Sequence, residues 1–177
     1  MAVSKTKGLV IVNTGNGKGK TTAALGLVLR ALGWEKRVCV LQFIKNQGSN
    51  WGEIKMAHKL GLEIISCGDG FTWQSQDLDQ SAELARAAWQ EAQRRILSTD
   101  YDLIVLDEFT YPINLGWLEP GAVLGWLAAN KPAALHLVIT GRDAAPELID
   151  YADLVTEMRE IKHPYNQGLP AQKGIEF

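Results

Sequence analysis

Several residue types that commonly build reactive sites are scarce in this chain of 177 residues. There are two cysteines, Cys39 and Cys67, and both lie in apolar runs, so we interpret them as small core residues in a reducing compartment. The three histidines, His58, His136 and His163, share no metal-ligand spacing, which disfavours a zinc site. No Ser/His/Asp or Cys/His arrangement is recognisable either.

A strong charge and a long apolar run are also lacking. The net charge of −2 gives no reason to expect nucleic acid or an anionic membrane as a partner. No apolar run reaches the roughly 18 residues of a membrane span, and the polar start does not resemble a signal peptide, so we expect a cytoplasmic protein. The length predicts one domain over residues 1–177, with a flexible start over about 1–7 and a mostly irregular tail over about 160–177.

One glycine-rich stretch dominates what is present. It follows the apolar run Leu9 to Val12 and precedes a helical pattern from Ala23 to Leu32. Its residues, which we predict to bind a nucleotide, are Thr14, Gly15, Asn16, Gly17, Lys18, Gly19, Lys20, Thr21 and Thr22. Strand, glycine-rich turn, Gly-Lys-Thr and helix form the layout of a phosphate-binding loop, in which backbone N–H groups, a helix N-terminus and a lysine face the phosphates.

The match to the general phosphate-loop pattern has one flaw. That pattern requires glycine five residues before Gly19, where this chain has Thr14, and the glycine comes one place later, at Gly15. There is no G-x-G-x-x-G either, because Lys20 stands three residues after Gly17, so a dinucleotide-binding fold is disfavoured.

Strand-like and helix-like segments alternate along the whole chain. The pattern predicts an α/β fold with a parallel sheet of about six strands and helices on both faces. In such sheets the site lies at the carboxyl ends of the strands. The chemically unusual clusters fall there: the glycine-rich stretch, Gln42 to Lys45, Gly68 to Trp73, Asp107 to Tyr111, and Gly141-Arg142.

Each of these clusters has a structural alternative. Beside a phosphate loop, we interpret Asp107 and Glu108 as magnesium ligands together with Thr21, although two acidic residues can also simply leave a strand for solvent. Phe71 and Trp73 either pack from a loop onto the core or form a flat apolar platform for a large ligand. Lys45 and Arg142 either contact phosphates or are solvated.

The run Thr14 to Ala24 resembles the signature of the P-loop ATP:corrinoid adenosyltransferases, in which the shifted glycine is the family's own form. The resemblance continues, in the family's order, through nearly the whole chain. It includes Gln42-Phe43-Ile44-Lys45, Gly70-Phe71-Thr72-Trp73, Leu106-Asp107-Glu108, Thr110-Tyr111, Ile139-Thr140-Gly141-Arg142, Lys162-His163 and Ala171-Gln172-Lys173-Gly174-Ile175.

The resemblance implies a reaction and its site. The substrates would be ATP and a corrinoid reduced to Co(I), with Mg²⁺, or Mn²⁺ in its place, as the metal. Cobalt would attack the 5′ carbon of the ribose, and tripolyphosphate would leave from a loop that holds it in the reverse sense to ordinary ATPases. Lys20 and Glu108 would be catalytic, Thr21, Asp107 and Glu108 would serve the metal, and Arg142 would join the nucleotide site.

The resemblance also implies partners and topology. Phe71 and Trp73 would pack under the corrin ring and exclude its lower axial ligand. A reduced flavoprotein would supply the electron, the protein would be a homodimer, and a RecA-like arrangement would place strand five between strands one and four. One departure is that only seven residues precede Gly8, whereas family members often carry a longer N-terminal helix over the partner's site.

Two other functions fit the same loop. A phosphotransferase or ATPase would need a residue that activates a hydroxyl or water, for which Glu108 is the clear candidate. A nucleotide-gated binding module would bind ATP without chemistry. The sequence does not decide which corrinoid is preferred, or between de novo synthesis and salvage.

Overall fold

The structure is a computed structural model that describes residues 7–45, 50–68 and 78–176. A six-stranded sheet forms its centre, and every pairing in it is parallel. The strands are β1 (Val10–Thr14), β2 (Val38–Gln42), β3 (Glu63–Ser66), β4 (Leu103–Asp107), β5 (His136–Thr140) and β6 (Leu154–Glu157).

Helices connect the strands, as a parallel sheet requires. They are α1 (Lys20–Leu32), α2 (Gly52–Leu60), α3 (Leu78–Ser98), α4 (Thr110–Asn114), α5 (Pro120–Asn130) and α6 (Pro146–Tyr151), followed by a 3₁₀ helix at Pro164–Gln167. The start of α5 is well defined by its sequence, because Pro120 occupies the first turn and the Glu119 carboxylate accepts hydrogen bonds from the N–H groups of Gly121 and Ala122.

The strand order is β3-β2-β4-β5-β1-β6. The α/β class and the position of β5 between β1 and β4 are therefore both confirmed. Ile139 of β5 pairs with Val12 of β1 on one side and Leu106 of β4 on the other, so β5 joins the strand before the glycine-rich loop to the strand before Glu108.

Helices cover both faces of the sheet. Alternate residues of β1 belong to different cores: Val10 and Val12 pack with the α3, α5 and α6 side, whereas Ile11 packs with α1. The stripe of small and aromatic residues along α3 is buried. That stripe consists of Ala82, Ala85, Trp89, Ala92 and Ile96. Because both faces are covered, only the edges and the loop ends of the sheet are open to ligands.

The predicted bounds differ from the structure mainly at strand ends. The sequence predicts strands over about Leu9 to Asn13 and Leu103 to Leu106. β1 and β4 each end one residue later, at Thr14 and Asp107, because these buried polar residues still pair in the sheet. The helix α4 was not predicted, since Pro112 within it favours a loop. Asp77, which with Gln80 resembles a capping box in the sequence, lies outside the described residues.

Candidate functional site

The glycine-rich loop joins β1 to α1 and is held by a backbone hydrogen bond to the chain after β6. The N–H of Gly17 donates to the carbonyl of Met158 over 2.7 Å. Gly15 has φ +93°, and a Cβ there would lie 2.4 Å from the same carbonyl oxygen, so only glycine fits. Thr14 is the last residue of β1, and its hydroxyl accepts the N–H of Ala144. The glycine therefore belongs at 15 because position 14 is still strand.

Lys20 is buried at the first turn of α1 and folds back onto the loop. Its Nζ donates to the carbonyls of Gly15 and Gly17, each at 2.8 Å. Burial lowers the pKa of this ammonium group, while the nearby Glu108 carboxylate opposes that effect. A phosphate oxygen is a stronger acceptor than a backbone carbonyl, so the ammonium is held in place by bonds that an anionic ligand can replace.

Asp107 organises the polar side chains at the carboxyl end of β4. Its Oδ1 accepts hydrogen bonds from the hydroxyls of Thr21, at 2.8 Å, and Thr140, at 2.7 Å. Its Oδ2 accepts from Nε2 of Gln42, at 3.2 Å, and lies 3.7 Å from Nζ of Lys45. The side chain is 1% exposed. This one carboxylate thus fixes the positions of residues from β2, β5 and the start of α1 relative to one another.

Glu108 differs sharply from its neighbour. Its φ of +60° is in the left-handed region, which costs a non-glycine residue roughly 1–3 kcal/mol. Its N–H donates to the Thr140 hydroxyl at 2.9 Å, but its buried Oε2 accepts no hydrogen bond from any described residue. Burial raises the pKa of Glu108, and the Asp107 charge raises it further, against the opposing effects of Lys20, Lys45 and Arg142. The backbone therefore presents a carboxylate whose natural partner is a cation.

Lys20 and Glu108 line a cleft of about 540 Å³, and Asp107 contacts Thr21 next to them. The lining includes the loop and first turn from Gly17 to Thr22, together with Tyr111 and Arg142. Lys45 closes another side, where its Nζ pairs with Glu53 at 2.6 Å and lies 5.0 Å from the ring centre of Trp51.

The C-terminal segment contributes to the same cleft. Gly174, Ile175 and Glu176 are among its lining residues. Glu176 accepts the N–H of Gln172 at 2.8 Å and pairs with Lys18 of the glycine-rich loop at 3.5 Å. The tail is mostly irregular after the 3₁₀ helix, yet it returns across the fold to the glycine-rich loop.

The structure brings together most of the residues that the sequence predicts for the site. Gly17 to Thr22, Glu108 and Arg142 line the cleft, and Asp107 lies next to them. Thr14 and Gly15 shape the loop from below through the contacts given above, and Asn16 is exposed at its tip. Phe71 and Trp73 lie outside the described residues, so their predicted role in binding the corrin stays a prediction.

Glu53, which holds Lys45, was missed by the sequence prediction. Gln42 and Thr140 were noted in the sequence but given no role, and the structure shows that they position Asp107. Gln42 and Thr140 end their strands next to the predicted site, so their polar character at buried strand ends was a usable signal. Nothing in the sequence pairs Glu53 with Lys45, because the contact depends on where α2 begins.

The charged residues of the cleft suit a hard cation rather than zinc or iron. Within residues 7–45, 50–68 and 78–176 there is no cluster of three or more His, Cys, Asp or Glu side chains able to hold a metal. Magnesium does not need such a cluster, because it is commonly held by one or two carboxylates and by phosphate oxygens of the substrate.

In the same described ranges, no helix is long and apolar enough to span a membrane.

Comparison with solved structures identifies a fold neighbour. The chain is similar to the flagellar accessory protein FlaH from Methanocaldococcus jannaschii, with a TM-score of 0.57 over 86% of this chain and 71% of FlaH. The two sequences are 11% identical, so the likeness concerns the fold alone.

Sequence comparison is more specific. The chain is 43% identical to the corrinoid adenosyltransferase of Pseudomonas aeruginosa over 173 residues, which is 97% of this chain and 84% of that protein. It is 40% identical to the corrinoid adenosyltransferase CobA of Salmonella typhimurium over 171 residues, covering 97% and 86% of the two chains. Residues 6–177 match the family described as ATP:corrinoid adenosyltransferase BtuR/CobO/CobP, and the chain belongs to that family.

Proposed function

We propose that the cleft transfers the 5′-deoxyadenosyl group of ATP to the Co(I) of a corrinoid and releases tripolyphosphate. Membership of the family supports adenosylation of a corrinoid with ATP as the activity. The observation that carries the proposal is the meeting of Lys20, the Thr21–Asp107 hydrogen bond and the buried, unpartnered Oε2 of Glu108 in one cleft.

The chemistry asks little of the protein beyond position and charge. Co(I) is itself a strong nucleophile, so no side chain has to remove a proton. The chain must hold the triphosphate and disperse the negative charge that builds up on it as the bond to the 5′ carbon breaks. The backbone N–H groups of the loop and the ammonium groups of Lys18 and Lys20 supply the binding charge, with Arg142 across the cleft.

The residues present fit a magnesium ion. Thr21 donates its hydroxyl hydrogen to Asp107, which leaves the hydroxyl oxygen's lone pairs available, and Glu108 has a buried oxygen without a partner among the described residues. We propose that Thr21 and Glu108 hold the ion and that Asp107 orients Thr21. When bound, the metal would offset charge on the phosphates. Mn²⁺ has the same preference for oxygen ligands and would be accepted.

The orientation of ATP follows from the reaction. The 5′ carbon must reach the cobalt, so the sugar should point away from the loop and toward the chain that carries Phe71 and Trp73. We propose that these two aromatics contact the corrin face and exclude the lower axial ligand. A reduced flavoprotein as electron donor, a homodimer and a cytoplasmic location complete the proposal.

The test is a visible spectrum of the protein mixed with ATP, magnesium and a chemically reduced corrinoid. The transferase should convert the Co(I) spectrum into that of an adenosylcorrinoid, and omission of ATP should prevent the change. Release of orthophosphate without adenosylation would favour the phosphotransferase or ATPase alternative. ATP binding with neither product would favour the nucleotide-gated module.

A further inference from the structure

The sheet order determines which residues stand between the two halves of the proposed site. Along the carboxyl edge the strands follow in the order β3, β2, β4, β5, β1. The phosphate loop comes after β1, and the chain leading to Phe71 and Trp73 comes after β3. Lys45, which follows β2, and the Asp107-Glu108 pair, which ends β4, therefore lie between the phosphate loop and the start of the chain proposed to carry the corrin.

Lys45 is physically joined to both halves. On one side its ammonium group lies 3.7 Å from Asp107 Oδ2, while Asp107 Oδ1 accepts the hydroxyl of Thr21 from the phosphate loop. On the other side its carbonyl accepts the N–H of Gly68 over 3.1 Å. A Cβ at Gly68 would lie 2.2 Å from the carbonyl oxygen of Ile44, so the two chains meet with no room for a side chain.

The ammonium group of Lys45 is built into the cleft rather than solvated. The side chain is 13% exposed, and that of its partner Glu53 is 15% exposed. Glu53 lies in the first turn of α2, and Trp51 just before that helix lies beside the same ammonium group. Holding a lysine this tightly removes its usual rotamer freedom, which is a cost that a merely solvated charge would not require.

We propose that Lys45 is a catalytic residue that neutralises charge on the phosphate group bonded to the 5′ carbon as that bond breaks. The inference rests on the proposed function. In the step, Co(I) donates an electron pair to the 5′ carbon and becomes formally Co(III). The C5′–O bond breaks, its electron pair leaves with tripolyphosphate, and Lys45 keeps all its protons.

The other cations of the cleft are less well placed for this task. Lys20 binds the loop carbonyls after β1, and Lys18, on the same loop, pairs with Glu176. Both suit the far phosphates. Arg142 follows β5, between the loop and Glu108. The carbonyl of Lys45 accepts the N–H of Gly68 just after β3, so the effect of Lys45 should fall on the chemical step rather than on ATP binding.

The experiment compares four variants: Lys45→Gln, Lys45→Arg, the double variant Lys45→Gln/Glu53→Gln, and the control Lys55→Gln. Lys55 is an exposed lysine of α2, the helix that carries Glu53. Two quantities are measured separately, the single-turnover rate of adenosylation with saturating ATP and prereduced corrinoid, and the Kd for ATP. We expect Lys45→Gln to lower the rate about 10- to 100-fold and to change the Kd less than about threefold. Lys45→Arg should recover most of the rate, and Lys55→Gln should match the wild type.

The double variant guards against misfolding, because it removes the carboxylate that Lys45→Gln would leave unpaired. It should fold and stay as slow as the single variant. A Lys45→Gln or double variant that reacts within about threefold of the wild-type rate would overturn the inference, as would a loss confined to ATP affinity. A wild-type protein that makes no adenosylcorrinoid would instead overturn the proposed function.

Discussion

The two ends of the sheet carry charged groups but use them differently. At the amino ends of the strands, Arg95 of α3 pairs with Glu63 and Glu91, and the Tyr101 hydroxyl donates to Glu63. Arg37 pairs in the same way with Asp102. Each of these charges has an opposite charge as its partner, and the ion pairs hold helix and strand together.

The carboxyl ends are less complete. The buried side-chain atoms that lack a hydrogen-bond partner in the described part of the chain are Asn13 Nδ2, Glu108 Oε2 and Thr110 Oγ1, and all three residues lie at or just after the carboxyl end of β1 or β4. Lys20 is bound there by carbonyls rather than by a carboxylate. Unsatisfied buried groups are costly, so their concentration at one end of the sheet indicates the place where a ligand completes the structure.

Asp107→Asn should have the largest effect on stability. Asp107 has hydrogen-bond partners on both carboxylate oxygens, at the end of the sheet where other buried groups lack them. The amide would place an N–H₂ group against donors such as Thr140, Thr21 or Gln42 and remove the charge beside Lys45. We expect the free energy of unfolding in urea to fall by about 3 kcal/mol. Asp100→Asn, at an exposed carboxylate, is the control and should stay within about 0.5 kcal/mol of the wild type. Equal stabilities for both variants would contradict the organising role of Asp107.

Lys20→Ala should mainly affect function. One charge-assisted contact to the triphosphate is worth roughly 1.5–3 kcal/mol, so both ATP affinity and turnover should fall about 10- to 150-fold. Calorimetric titration of ATP and the single-turnover rate measure the two effects. Lys36→Ala removes an exposed lysine as a control. A folded Lys20→Ala protein with normal turnover would contradict the assignment of the phosphate loop.

At the amino ends of the strands, Arg95→Met should lower stability and leave the reaction rate unchanged, the opposite of Lys20→Ala. It removes the contacts to Glu63, Glu91 and Tyr101 in a half-buried network, so we expect the free energy of unfolding to fall by about 1–2 kcal/mol. The single-turnover rate should not change. Arg86→Met, at an exposed position of the same helix, controls for loss of surface charge. A slower reaction without loss of stability would mean that the two ends of the sheet are not functionally separate.

The smallest effect concerns pH. Because burial raises the pKa of Glu108 above its ordinary value of 4.5, the folded protein binds more protons than the unfolded chain in the window just above that value. Stability without nucleotide and metal must therefore fall as pH rises through the window, by at most about 1.4 kcal/mol per pH unit. Asp102 has the opposite sign, since hydrogen bonds from Arg37 lower its pKa and its contribution is lost only in acid.

Glu108→Gln should remove this fall in the free energy of unfolding with rising pH. Urea unfolding at a series of pH values measures the effect. The variant should gain stability relative to the wild type as pH rises above 4.5. Glu83→Gln, at an exposed position of α3, should run parallel to the wild type. Parallel curves for Glu108→Gln as well would show that the buried carboxyl carries no penalty.

Much of the fold was predictable because its signals are local. Apolar runs such as Leu103–Leu106 identified strands, and the Gly19-Lys20-Thr21 turn fixed the start of α1. The order of the strands came from the family resemblance, since no local pattern states that β5 lies beside β1. The glycine at 15 rather than 14 has a cause that only the fold reveals, namely the close approach of Met158.

The site was predictable where residues of one strand end carry the chemistry and was missed where distant segments meet. Asp107 and Glu108 were found as a pair, but their different environments depend on Thr140, Gln42 and the left-handed backbone at Glu108. The return of Glu176 to Lys18 joins residues at opposite ends of the chain, and no periodicity predicts such a contact.

We expect the cleft to keep all three phosphates together as the leaving group, and phosphorus NMR of a completed reaction tests this most directly. The protein is incubated with ATP, magnesium and reduced corrinoid, and a parallel sample omits the corrinoid. We expect one tripolyphosphate per adenosylated corrinoid, and little ADP or orthophosphate in the parallel sample. Stoichiometric ADP and orthophosphate with no tripolyphosphate would contradict the account and favour an ATPase built on the same loop.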